Sequence, residues 1–79
     1  MATLEVTRSI DARALMTPVP LMQLIGAIHE CRVGDVVEIL VGEPAARTDI
    51  LAWTAKTGHE IIRIDEIAAA TKIDVRKAR

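Results

Sequence analysis

The chain has 79 residues, of which 51% are hydrophobic, and a formal net charge of -1. That length suits one small domain over 1–79 without a large enclosed cavity, and the apolar content excludes intrinsic disorder. The near-neutral charge removes any global pull toward nucleic acid or an anionic membrane.

Trp53 is the sole aromatic residue, so the core has to be aliphatic. The missing stacking side chains argue against single-stranded nucleic-acid binding. Cys31 is the sole cysteine, which excludes an internal disulfide and fits a reducing compartment. The start, Met1 to Val6, lacks the basic and long apolar segments of a signal peptide, and no run reaches the roughly 18 apolar residues of a membrane span. The expectation is a cytoplasmic, monomeric domain with no membrane attachment.

In chain order, Leu4, Val6 and Ile10 share one side of a period-two run over Thr3 to Ile10, which predicts a first strand. Arg8 lies on the same side, so its end is expected in solvent. Thr17-Pro18-Val19-Pro20 then predicts a loop feeding a helix. Threonine is a favoured N-cap, proline suits the first helical position, and Pro20 stiffens the first turn. Leu21, Leu24, Ile25 and Ile28 form the apolar face of that helix. Gly34-Asp35 turns the chain into Val36–Val41, whose β-branched content predicts a central strand.

Pro44 opens a second helix, with Ala46, Ile50, Trp53 and Thr57 on one face and Gly58 as its stop. Glu60–Ile64 reads as a third strand and Lys72–Arg76 as a fourth. In the fourth, Ile73 and Val75 alternate with Lys72, Asp74 and Arg76, which predicts an edge strand with one wet face. The join, Asp65 to Thr71, reads as a hairpin loop with room for one helical turn. The order β-α-β-α-β-β predicts an α/β two-layer sandwich, a mixed four-stranded sheet with both helices on one face.

The chemistry-bearing residues are few. Around Thr17, a helix N-terminus with free N–H groups favours anions. A threonine nucleophile needs an adjacent base, and no histidine is near in sequence. Cys31 falls at the other end of the same helix, where the dipole disfavours a thiolate and Arg32 offsets this in part. His29 and Cys31 are two apart on a helix and make a poor metal pair. His59 is expected to cap or pack beside the second helix. No metal or cofactor is expected, and no acid/base pair or phosphate loop marks a conventional enzyme. Lys72, Arg76, Lys77 and Arg79 form a basic tail, either a solvated edge or a docking patch for an acidic partner or RNA phosphate.

The ordered motifs resemble the TusA family of small sulfur-carrier proteins, also called SirA-like. Asp11, Arg13, Leu15, Pro18, Pro20 and Met22 fit its opening motif, Asp-x-Arg-Gly-Leu-x-Cys-Pro-x-Pro and an apolar helix. Gly34-Asp35, Glu43-Pro44, Asp49-Ile50, Trp53 and Gly58-His59 fit the later ones. The resemblance implies a two-layer α/β sandwich and a surface of Asp11, Arg13, Thr17, Pro18 and Pro20 for sulfur-relay proteins. Those partners are a cysteine desulfurase, a rhodanese-type donor or a DsrE-type protein.

Two positions depart from the pattern: Ala14 stands for its glycine and Thr17 for its persulfide-carrying cysteine. The expectation is a protein-binding or modulating module of sulfur trafficking without its own carrier thiol. The alternatives are a sulfur carrier for tRNA thiolation or sulfur oxidation that uses Cys31, and an RNA-binding or regulatory module that uses the basic tail.

Overall fold

A computed structural model describes residues 4–79. Its elements are β1 (Arg8–Ala12), α1 (Val19–Glu30), β2 (Val36–Val41), α2 (Pro44–Thr57), β3 (Glu60–Ile67) and β4 (Ala70–Arg76). The sheet runs β1-β2-β4-β3. β1 is parallel to β2, and β4 is antiparallel to both β2 and β3. Each helix therefore links two strands of the same direction, α2 stepping over the place that β4 fills. The predicted α/β sandwich with a mixed four-stranded sheet is the observed fold.

One sheet face carries the core. Ile10↔Ile39 and Ala12↔Val41 pair across β1 and β2, and Ile39↔Ile73 and Val37↔Val75 across β2 and β4. Leu24, Ala27 and Ile28 of α1 and Ala46 and Ile50 of α2 pack with them in one cluster, all within 2% exposure. With only Trp53 among the aromatics, branched aliphatics on strands and small alanines on helices bring the layers together. On α1 the buried residues are Pro20, Leu24, Ala27 and Ile28, so the apolar face is turned slightly from the predicted Leu21-Leu24-Ile25-Ile28 stripe. On α2, Ala46, Ile50 and Thr54 are buried while Trp53 and Thr57 are half-buried. Gly58 ends α2 at φ 81°, donating its N–H to the Thr54 carbonyl, the left-handed stop the sequence predicts.

Three expectations need correction. The first strand is Arg8–Ala12, not Thr3–Ile10; Thr3 lies outside the described residues, and Leu4 to Val6 precede the strand. Pairing sets this boundary, since β2 starts at Val36, whose carbonyl accepts the Thr7 N–H at 2.8 Å. The Asp65–Thr71 join has no helical turn: β3 continues to Ile67 and β4 begins at Ala70, leaving Ala68-Ala69 as the tip. Ala68 takes φ 52° there, a conformation more at home with glycine.

The third correction concerns β4, which is central rather than an edge. Its alternation reflects a sheet covered on one face only. On the open face its charges are paired laterally: Lys72 lies 3.8 Å from both Glu38 and Asp65, Arg63 lies 3.4 Å from Asp74, and Arg76 lies 3.2 Å from Glu60. Asp74 is fully buried among them, and its Oδ1 has no hydrogen-bond partner. Arg63 is half-exposed and also reaches Asp65 at 3.4 Å, so removing Asp74 strands no buried cation. Asp74→Val is therefore expected to leave stability unchanged or raise it by about 1 kcal/mol, as read by urea unfolding.

Candidate functional site at the carboxyl ends of the parallel strands

The carboxyl ends of β1, β2 and β3 lie at one end of the molecule, where open α/β sheets place their sites. There β1 leads into the Arg13–Pro18 segment, β2 leads through Gly42 and Glu43 into α2, and β3 reaches the Ala68-Ala69 tip. Two cross-connections join the first two. The Thr17 N–H donates to Glu43 Oε1 at 2.8 Å, and the Thr17 hydroxyl donates to Asp49 Oδ2 on α2.

This geometry corrects the predicted cap. Pro18 is the N-cap of α1 with no side-chain cap bond, and Val19 and Pro20 follow as the first helical residues. The Thr17–Pro18 peptide is cis. The Thr17 hydroxyl turns to a carboxylate, a stronger acceptor than a neutral group. The helix terminus is also poorer in donors than expected. Val19 N–H is taken by the Met16 carbonyl at 3.0 Å, Met22 N–H by the Pro18 carbonyl at 3.1 Å, and Pro20 has none. Two carboxylates, Glu43 and Asp49, stand beside position 17, so the local field opposes a further anion.

Asp11 and Arg13 clasp each other on the same end. Arg13 Nε and Nη2 reach Asp11 at 2.8 and 2.7 Å, and the Arg13 N–H adds a third bond at 3.2 Å. The hydrogen bonds from Arg13 hold the Asp11 carboxyl down to about 2, and Asp11 in turn raises Arg13. Arg13 also borders an open cleft of about 460 Å³ that is lined by Leu40, Gly42 and Ile67 to Ala70.

Of the predicted surface residues, Asp11, Arg13, Thr17 and Pro18 are exposed at this end. Pro20 is not: it is buried on the inner side of the first turn of α1. The sequence reading missed the apolar rim. Met16, in the loop before α1, is 70% exposed, and Met22 at 62% and Val19 at 40% follow on the helix; the i, i+3 spacing of Val19 and Met22 away from Leu24 was the available signal. Flexible methionines on a surface suit contact with a partner.

The other candidates lie elsewhere. Cys31 caps the far end of α1, half-buried, its N–H bonded to the Ile28 carbonyl. The 12-residue helix puts it about 18 Å from Thr17. The basic residues of the tail have different surroundings. Lys72 and Arg76 pair on the open sheet face, the Lys77 ammonium donates to the Cys31 carbonyl at 2.8 Å, and the Arg79 guanidinium lies over Gly58. Among the described residues no three His, Cys, Asp or Glu side chains are grouped to hold a metal ion, and no helix is long and apolar enough to cross a membrane.

The family model for sulfurtransferase TusA matches residues 8–77. The chain belongs to the TusA family. It is 34% identical over 70 residues to a candidate sulfur carrier protein of Archaeoglobus fulgidus, covering 89% of this chain and 96% of that one. It is 30% identical to the sulfur carrier protein TusA of Pseudomonas entomophila, covering 87% of this chain and 86% of that one. A SirA-like protein from Desulfitobacterium hafniense has the same fold, with a TM-score of 0.81 at 19% identity, over 92% of this chain and all of the other. The match spans every element from β1 to the end of β4.

Proposed function

We propose that this TusA-family chain is a docking module of sulfur relay that engages relay proteins through its Arg13–Thr17–Pro18 end without carrying sulfur. The observation that carries the reading is Thr17 itself. It stands where the family resemblance expects the persulfide cysteine, its hydroxyl is committed to Asp49, and its N–H is committed to Glu43. A hydroxyl so placed can hold the loop but cannot accept sulfur. The sole thiol, Cys31, is half-buried at the far end of α1, away from the Arg13–Pro18 loop. Apart from Ala14, the opening-motif residues around position 17 keep the family pattern, and Met16, Val19 and Met22 supply apolar contact beside the Asp11–Arg13 clasp. The partners the reading names are a cysteine desulfurase, a rhodanese-type protein or a DsrE-type protein.

Titration of the chain against one protein of each class by calorimetry tests this. Binding to at least one is expected, weakened about tenfold or more by Met22→Glu, since an exposed apolar anchor would then carry an uncompensated charge into the interface. Met22 is exposed, so the variant keeps its fold by circular dichroism. Absence of binding to all three classes, or binding indifferent to Met22, would overturn the reading.

A further inference from the structure

We propose that His59 is a pH-operated latch: neutral, it holds the C-terminal Ala78–Arg79 segment against the end of α2, and protonated, it releases it. His59 Nδ1 accepts the Ala78 N–H at 3.1 Å. An imidazolium has no free lone pair, so this bond exists only with the ring neutral and its proton on Nε2. Gly58, in its left-handed conformation, sets the ring over the last turn of α2, where its centroid lies 5.3 Å from that of Trp53 at a 39° tilt.

The charged groups around the ring reinforce the switch. Lys77 and Arg79 come from the tail, and His29 comes from the last turn of α1. The neighbouring carboxylate, Glu60, is engaged by Arg76 at 3.2 Å on the open sheet face. Burial, with Lys77, Arg79 and His29 adding to it, pushes the imidazole below its ordinary value. Protonation thus breaks the Ala78 bond and places a new cation beside the Arg79 guanidinium that covers Gly58.

Release stops at Lys77. Its carbonyl accepts the Gly34 N–H at 2.7 Å, its N–H donates to the Asp35 carbonyl at 2.9 Å, and its ammonium holds the Cys31 carbonyl. Beyond it, Ala78 N–H to His59 is the one backbone tether among the described residues. The folded chain binds fewer protons than the unfolded one as pH drops below the free histidine value of about 6.5, so stability present above that value is lost as pH falls on through the lower folded-state value.

Trp53 is the sole aromatic residue, so its fluorescence reports the adjacent ring without interference. The full chain is titrated between about pH 8 and about pH 5, the range in which histidine charges, with amide exchange of Ala78 followed by NMR. A fluorescence transition with its midpoint below the free histidine value is expected. Across it, Ala78 exchange should rise about tenfold after correction for its intrinsic pH dependence. His59→Gln, which keeps an acceptor that does not titrate, should abolish the transition, and His29→Gln should retain it. A transition that survives His59→Gln, or Ala78 exchange that does not change, overturns the latch. Should His59→Gln fail to fold, the His59 ring shifts in the parent chain decide, because a latch requires them to titrate together with the Ala78 amide.

Discussion

A Thr17→Cys variant is expected to gain one sulfur atom from a cysteine desulfurase and cysteine, while the parent chain gains none. Intact-mass measurement reads both directly. The parent has no thiol at position 17, and Cys31 lies about 18 Å away by the length of α1, half-buried with its carbonyl under Lys77. Sulfur on the parent would assign Cys31 as acceptor and revive the carrier alternative. Sulfur on neither chain, with the donor active on a carrier control, would count against docking at this end.

The same variant probes the field at position 17. The introduced thiol would face Asp49 and Glu43, which hold the Thr17 hydroxyl and N–H in the parent. A like charge beside a thiolate raises the thiol pKa, and one pKa unit changes the thiolate fraction about tenfold near neutral pH. Adding Asp49→Asn to Thr17→Cys is therefore expected to speed alkylation by iodoacetamide several-fold. An unchanged rate would show that Asp49 exerts no field there.

The largest loss of stability outside the core is expected from Gly42→Ala. A Cβ at Gly42 would stand 2.7 Å from the Arg13 carbonyl oxygen and 3.6 Å from its carbon. Both are backbone atoms, so no side-chain rotation relieves the contact, and the end of β1 has to move from the end of β2. Such overpacking costs about 1–3 kcal/mol, a large share of the roughly 4–12 kcal/mol that a chain this long commands. The thermal midpoint should fall by roughly 5–20 °C, as read by circular dichroism. Because Gly42 precedes Glu43, the Thr17–Glu43 bond should loosen too, and partner affinity should fall with the midpoint. An unchanged midpoint would rule out so close an approach.

Much of the fold was legible along the chain because its signals are local. The β-branched run Val36–Val41, the Pro44 start and Gly58 stop of α2, and the apolar spacing of α1 each act within a few residues. What misled were features whose meaning depends on neighbours. Lys72, Asp74 and Arg76 alternate as a wet edge strand would, yet partners on β2 and β3 flank them. Asp65–Thr71 has helix-forming alanines, yet pairing with β4 carries β3 to Ile67. Thr17 has the chemistry of an N-cap, yet a carboxylate 32 residues away takes its hydroxyl.

The element order, the aliphatic core, the family pattern and the single thiol were therefore readable from the residues, since periodicity, turn residues and composition are properties of short stretches. Long-range packing settles the rest: β4 is central, Pro20 is buried while Met16 and Met22 line the exposed end, and Glu43 and Asp49 meet Thr17. It also brings Ala78 to His59. These contacts depend on which distant segments lie side by side, and that is set when the two helices fold onto one face of the sheet.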